Sequence, residues 1–216
     1  MLDQRNAYLD GEGDRWFDRN AAHLQREGDV LFESIVATGK QYRSILEIGC
    51  SNGYRLEMLH KALGAKCAGV DPSSAAIEAG KADYPALDLH VSTADTLLFG
   101  DASFDLVIFG YCFCLIDPAL HFRAVAEADR VLEDGGLLAI GDFMPPRPYH
   151  NTYAHKEGMK TYKMEVAAYF LGSPIYNLLH RQLKNPSTMI DSIDDRMGVD
   201  LLHKSIATAF PANPFA

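Results

Sequence analysis

Apolar positions along this chain follow two alternating rhythms. Residues 45–48 (ILEI), 65–70 (AKCAGV), 87–91 (LDLHV), 104–109 (FDLVIF) and 137–141 (LLAIG) are apolar runs of strand length. Between them lie helical stretches: Leu56, Leu59 and Leu63 return three and four apart, as on one face of a helix, Ser74–Ala82 carries Ala75, Ala76, Ile77 and Ala79, and a third runs from Asp117 to about Leu132. Local punctuation agrees with this. Gly64 suits a C-cap, Pro85 breaks the second helix, and Asp117-Pro118 offers an N-cap and a proline at the first helical position. Glu133-Asp134-Gly135-Gly136 stops the third helix. Five strands alternating with helices and joined by right-handed crossovers predict an α/β chain, a doubly wound, Rossmann-like, mostly parallel sheet. The run 104–109 is apolar almost throughout, as a central parallel strand should be.

The flanks carry weaker patterns. Gly11-Glu-Gly13-Asp14 reads as a turn, with Asp14 capping a helix from about Arg15 onward. That helix brings Trp16, Phe17 and Asn20 close together, with Arg19 beside them. Val30, Leu31, Ile35 and Val36 mark a second helix before the first strand. Beyond residue 143, Pro145, Pro146 and Pro148 hold the chain extended. Tyr149, His150, Asn151, Tyr153 and His155 follow, then a short helix within 162–171, and a tail, PANPFA, that is loose or docked on a partner. One domain over 1–216 is expected: a helical cap at 1–43, a core at 44–143, and an insertion with the last strands at 144–216.

Composition narrows the partners. With 216 residues and 48% hydrophobic positions, one sizeable core is affordable. Twenty basic against 29 acidic residues give a net charge of −9. No Lys/Arg cluster stands against that charge, so a nucleic-acid partner is not expected. No apolar run approaches the length of a membrane span, and the charged N-terminus lacks the core of a signal peptide. Cys50, Cys67, Cys112 and Cys114 sit in or beside apolar segments without metal spacing, which reads as reduced thiols in a cytoplasmic protein and no metal.

The chemistry gathers at residues 44–54, SILEIGCSNGY. A strand enters a turn with Gly49 and Gly53 and leaves as a helix, which lets a ligand approach backbone N–H groups. Gly53, lacking a Cβ, is expected to let that ligand lie against the backbone. A dinucleotide fingerprint would place glycines at 49, 51 and 54; here Ser51 and Tyr54 break it. Asp71 lies 24 positions after Glu47, at the end of the second strand, where a carboxylate can accept from ribose hydroxyls or cap the next helix. Asp95 follows the third strand, with Ala94 leaving room for a ring.

Taken in order, EIGCSNG, GVDPS, TAD, FDLVIFGY and ADRVLEDGGLLAIGDF resemble the motifs of class I S-adenosylmethionine-dependent methyltransferases of the small-molecule type, with Ser51 replacing the usual middle glycine. The resemblance covers about half the chain. GEGDRWFDRN is similar, more faintly, to an element preceding this core in methyltransferases of polysaccharide and sugar biosynthesis. The family fold would add a sixth strand near 175–183 and a seventh, antiparallel, near 197–204.

The resemblance implies S-adenosylmethionine as cofactor and S-adenosylhomocysteine as product. Glu47, Gly49, Cys50, Ser51 and Gly53 would face the methionine part; Asp71 with Pro72 and Ser73 the ribose; Ala94, Asp95 and Thr96 the adenine; Gly110 and Tyr111 the sulfonium. Apart from the resemblance, the Trp16-Phe17 pair flanked by Arg19 marks the helix from about Arg15 into the twenties as a flap over the cofactor, with Arg19 available to a carboxylate. The acceptor is expected to be a small or saccharide-linked molecule, methylated at a hydroxyl oxygen. His150, Asp142 and Tyr111 are the catalytic candidates, His150 first as an imidazole past strand five. Lys156, Lys160, Lys163, Arg147 and Arg181 would supply a basic patch for an anionic acceptor. Two alternatives fit the sequence as well: an NAD(P)-dependent oxidoreductase, and a methyltransferase-like module that binds without turnover. A homodimer is left open.

Overall fold

The computed structural model describes residues 3–24, 28–183 and 196–213. Strands β1 (Ser44–Ile48), β2 (Lys66–Asp71), β3 (Asp88–Val91), β4 (Phe104–Gly110) and β5 (Leu132–Phe143) lie parallel in the order β3-β2-β1-β4-β5. Beyond β5 a separate hairpin pairs β6 (Tyr149–Thr152) with β7 (Lys160–Lys163). The chain then returns to the main sheet as β8 (Tyr176–Leu183) and β9 (Met197–Lys204). The last strand, β9, runs antiparallel between β5 and β8, which completes the seven-stranded sheet. This is the architecture that the sequence predicts.

Helices cover both faces. On one lie α3 (Val30–Ala37), α4 (Tyr54–Leu63) and α5 (Ser74–Asp83), whose Leu31, Ile35, Leu56, Leu59 and Ile77 pack on Ile45, Leu106, Ile108 and Leu201. On the other, α6 (His121–Val131) and α7 (Ala168–Leu171) bring Ala124, Ala128 and Phe170 onto Leu46, Val107, Phe109 and Leu138. The period of two along a strand decides which face each residue joins. It sends Glu47 to the same side as Ile45, under α4, and this fixes its partner.

Several boundaries differ from expectation. The Glu133–Gly136 stop lies inside β5, where the register jumps between Leu132 and Leu137 opposite Phe104 and Leu106. The expected helix within 162–171 shrinks to α7, because Tyr162 is drawn into β7 opposite His150. The tail is described only to residue 213, so the rest of PANPFA lies outside the described residues.

The N-terminal segment differs most. Helix begins at α1 (Gln4–Ala7), passes a wide turn over Tyr8–Glu12 with Gly11 at φ 111°, and continues as α2 (Gly13–Asn20). Asp14 is therefore already inside helix and does not cap its own. Its carboxylate accepts instead from Ser73 Oγ at 2.7 Å and Ala75 N at 3.0 Å, tying α2 to the start of α5. These bonds lower its pKa, the Ala75 amide contributing most. Asp14→Ala is expected to cost about 1–2 kcal/mol in thermal unfolding near pH 7. A group with a lowered folded pKa stabilises above its unfolded pKa, so the difference from wild type should shrink as pH falls through the folded value.

Candidate active site

A cleft of about 850 Å³, part of it open to solvent, runs along the C-terminal ends of β1, β2 and β4. Parallel sheets place ligands there because the strand ends and the following helix starts leave backbone groups free. Of the residues predicted for the cofactor, Gly49, Ser51, Asp71, Pro72, Ala94, Asp95, Gly110 and Tyr111 line it. They lie up to 62 positions apart in the chain (111 − 49), and the sheet alone brings them together.

The turn after β1 is shaped by three left-handed residues, Gly49 at φ 74°, Ser51 at φ 51° and Gly53 at φ 79°. At Gly49 any Cβ would run into Cys112, whose thiol sits 3.1 Å from the carbonyl of Ile48. Asp71 fixes the turn from the next strand. Its two oxygens accept from Ser51 N and Ser73 N, each at 2.9 Å, and keep lone pairs toward the cleft. Burial raises its pKa to about 6 against those two amides. Asp95 is buried and paired with Arg5 at 3.0 Å. The charged residues lining the cleft are Arg5, Asp71, Asp95 and Asp117. One cation against three carboxylates makes a surface that suits a positively charged ligand.

Six expected cofactor contacts do not line the cleft, for physical reasons. Cys50 is buried against the second strand, where a Cβ on Gly69 would meet its thiol at 2.6 Å. Gly53 is glycine for packing, not for ligand approach: it sits at φ 79° and a Cβ there would touch Leu87 and Leu89 at 3.0–3.3 Å. Ser73 turns inward as the N-cap of α5, accepting from Ala76 N. Thr96 is exposed in the loop after β3. Arg19 is held by Glu12 at 2.7 Å and by the Tyr153 hydroxyl at 2.9 Å, so it clamps the N-terminal helix to the insertion. Glu47 lies just behind the floor, ion-paired with Arg55, where only the missing side chain of Gly110 separates it from the cleft.

The catalytic candidates divide. Tyr111, left-handed at φ 60°, lines both this cleft and a second cavity with Asp29, Tyr54, Arg55 and Met197. Burial pushes its hydroxyl up to about 12, so it stays a donor at neutral pH. Asp142 is buried and accepts from Phe143 N at 2.7 Å and Cys114 N at 3.2 Å, which makes it a brace for the loop after β4. His150 is exposed on β6, 6.3 Å from the Tyr162 ring and outside the cleft lining. The hairpin pairing, set after the three prolines, carries it away. Two members of the suggested basic patch are taken up by other partners. Arg181 is engaged by Asp200 and Glu165, and Lys156 reaches the carbonyl of Ala7.

The sequence pattern missed Arg5, Tyr8, Leu115, Ile116 and Asp117, which also line the cleft. Arg5 and Tyr8 lie upstream of any motif. They arrive because Gln4 donates to the carbonyls of Leu115 and Lys160 and accepts from Lys160 N at 2.7 Å. Among the described residues no helix is long and apolar enough to cross a membrane, and no group of His, Cys, Asp and Glu could hold a metal.

Residues 46–140 match the methyltransferase domain family. Over 116 residues the chain is 34% identical to a demethylmenaquinone methyltransferase of Thermus thermophilus, covering 51% of this chain and 52% of that one. Over 118 residues it is 30% identical to an O-methyltransferase of Penicillium expansum, covering 50% and 41%. The chain spans about half the length of the curated relatives it matches. The fold is shared with 1,6-didemethyltoxoflavin-N1-methyltransferase of Burkholderia thailandensis, solved with S-adenosylhomocysteine bound. That match has a TM-score of 0.70 at 12% identity, over 95% of this chain and 91% of that one.

Proposed function

We infer, from the class I S-adenosylmethionine-dependent methyltransferase core built around residues 46–140, that the chain transfers a methyl group from S-adenosylmethionine to a small-molecule acceptor. The observation that carries the reading is Asp71. A carboxylate at the end of β2, braced by two backbone amides and facing an acidic cleft, is suited to a ribose and to a cationic cofactor. Glu47 adds to the fit, since its buried carboxylate lies directly beneath Gly110 and sets a negative charge behind the cleft floor, where it suits an ammonium.

When bound, the cofactor supplies an activated methyl on a good leaving group. The chain then has to orient the acceptor and exclude water. Tyr8 and Trp16 wall the cleft from the N-terminal side, and Leu115, Ile116 and Leu120 offer an apolar rim. Tyr111 presents a protonated hydroxyl that can fix an acceptor oxygen but cannot take its proton at neutral pH. No histidine lines the cleft among the described residues. We read the acceptor atom as a hydroxyl oxygen, on a free or saccharide-linked small molecule, with Asp117 as the rim carboxylate nearest in kind to a base. A strongly anionic acceptor is disfavoured by the three carboxylates of the cleft.

Calorimetric titration with S-adenosylhomocysteine, with NADH alongside, tests this directly. Micromolar binding of the first and no heat from the second is expected. Binding of NADH alone would overturn the reading in favour of a nicotinamide enzyme. Binding of S-adenosylhomocysteine with no methylated product from any hydroxyl acceptor screened would favour a module without turnover.

A further inference from the structure

We infer that Asp29 and Arg55 are positioning residues for the cofactor: they hold the Glu47 carboxylate behind Gly110 so that its negative charge faces an ammonium in the cleft. The inference rests on the methyltransferase reading and extends it to residues outside any motif. Arg55, in the first turn of α4, and Asp29, which caps α3, are almost fully buried, with side chains 5% and 7% exposed. Asp29 Oδ1 accepts from Leu31 N at 3.1 Å and Phe32 N at 3.0 Å, as an N-cap does. Its Oδ2 accepts from Arg55 Nε at 2.8 Å and from the Tyr54 hydroxyl at 3.2 Å. Arg55 Nη2 donates to that same hydroxyl at 2.8 Å, while Nη1 meets Glu47 Oε1. The guanidinium is thus gripped at both ends, with the Tyr111 ring 5.7 Å from it.

The charges do not cancel. Two carboxylates share one guanidinium, and Glu47 Oε2 is buried without a partner. The oxygen beneath Gly110 is Oε1, the one that Arg55 holds, so the net negative charge of this cluster lies against the cleft floor. A Cβ on Gly110, a cleft residue, would stand 2.7 Å from Arg55 Nη1, so this ion pair touches the cleft floor. An arginine spanning α4 and α3 therefore fixes both the position and the ionisation of the carboxylate. The groups that act on Glu47 are Arg55 and Tyr54 from α4, Asp29 from α3, Asp71 and Cys67 from β2, Cys50 from the turn, and Cys112 after β4. Burial raises its pKa to about 7; Arg55 opposes that rise and Asp29 adds to it.

The test is S-adenosylhomocysteine affinity, measured by calorimetry from about pH 5.5 to 8, for wild type, Asp29→Asn, Arg55→Gln and Arg55→Lys. Wild-type affinity should fall as acid protonates Glu47. Arg55→Gln removes the group that favours the ionised form, so the fall should move to higher pH and affinity at pH 7 should drop at least tenfold, about 1.4 kcal/mol. Asp29→Asn removes a like charge, so its fall should move to lower pH. Arg55→Lys keeps the charge and should restore the wild-type pH dependence. Asp71 titrates in every variant and cancels in the comparison. Opposite shifts are a signature that loss of packing alone would not give. Wild-type pH profiles in both Arg55→Gln and Asp29→Asn would overturn the inference while leaving the methyltransferase reading intact. No binding by wild type would bring down that reading first. Should Arg55→Gln fail to fold, an unshifted profile in Asp29→Asn is decisive against the inference.

Discussion

Asp71→Ala is expected to lose S-adenosylhomocysteine binding by two to four orders of magnitude while the protein remains folded. Each hydrogen bond to a charged group is worth about 1.5–3 kcal/mol, and a ribose offers two hydroxyls, so about 3–6 kcal/mol is at stake. The carboxylate also receives Ser51 N and Ser73 N, so its loss frees the turn between β1 and α4 that lines the cleft. Asp71→Asn keeps the volume but has one acceptor oxygen for two amides, and an intermediate loss should follow. Acid should act on wild type in the same direction. With its pKa raised to about 6, the Asp71 carboxyl protonates as pH falls through that value, and affinity falls with it. The sign for stability is opposite. A carboxyl with a raised folded pKa binds more protons folded than unfolded between about 3.9 and 6. Its contribution to stability therefore declines as pH rises through that window. Asp142, also raised to about 6 by burial, acts likewise. Calorimetry and thermal melts at pH 5 and pH 7 should thus separate: weaker ligand binding in acid, without a matching loss of fold from these two groups. Asp71→Ala binding as wild type does would remove Asp71 from the ribose role.

Gly110→Ala should destabilise the fold by about 3–5 kcal/mol. Gly110 ends β4, and its backbone is not among the left-handed positions, so the penalty is not conformational. The new methyl would fall onto the Glu47–Arg55 pair and force apart two buried charges. Breaking such a pair costs more than the pair contributes, because each ion is left without its partner in a dry site. Gly100→Ala is the control. Its added Cβ meets nothing closer than Ser103 Oγ at 3.4 Å, and its effect should be within about 0.5 kcal/mol. Denaturant midpoints for the two variants measure the difference; equal midpoints would show that the pair can move aside.

The sheet is legible in the sequence. Short apolar runs of strand length and helical stretches between them are local properties, and the crossover rule turns their order into a topology. Even the two last strands fell within a residue of their observed limits, 176–183 and 197–204. The ligand-facing strand ends followed from that topology, which is why Gly49, Asp71, Asp95 and Gly110 were found from sequence and do line one cleft.

What the sequence left undetermined depends on long-range packing. Arg19 and Arg5 look alike as surface cations on one amphipathic segment. Glu12 claims Arg19, and Asp95, 90 positions along the chain, claims Arg5. His150 reads as a catalytic imidazole until the β6–β7 pairing turns it away. Gly53 reads as a ligand contact until Leu87 and Leu89 fill the space beside it. The amino-acid sequence by itself determined the strands, their order and the edge along which chemistry can occur, because those follow from periodicity and chirality. Only the tertiary structure decided which charges meet there. A buried carboxylate such as Glu47 takes its partner from whichever element packs across it, here Arg55 on α4 held in turn by Asp29 on α3.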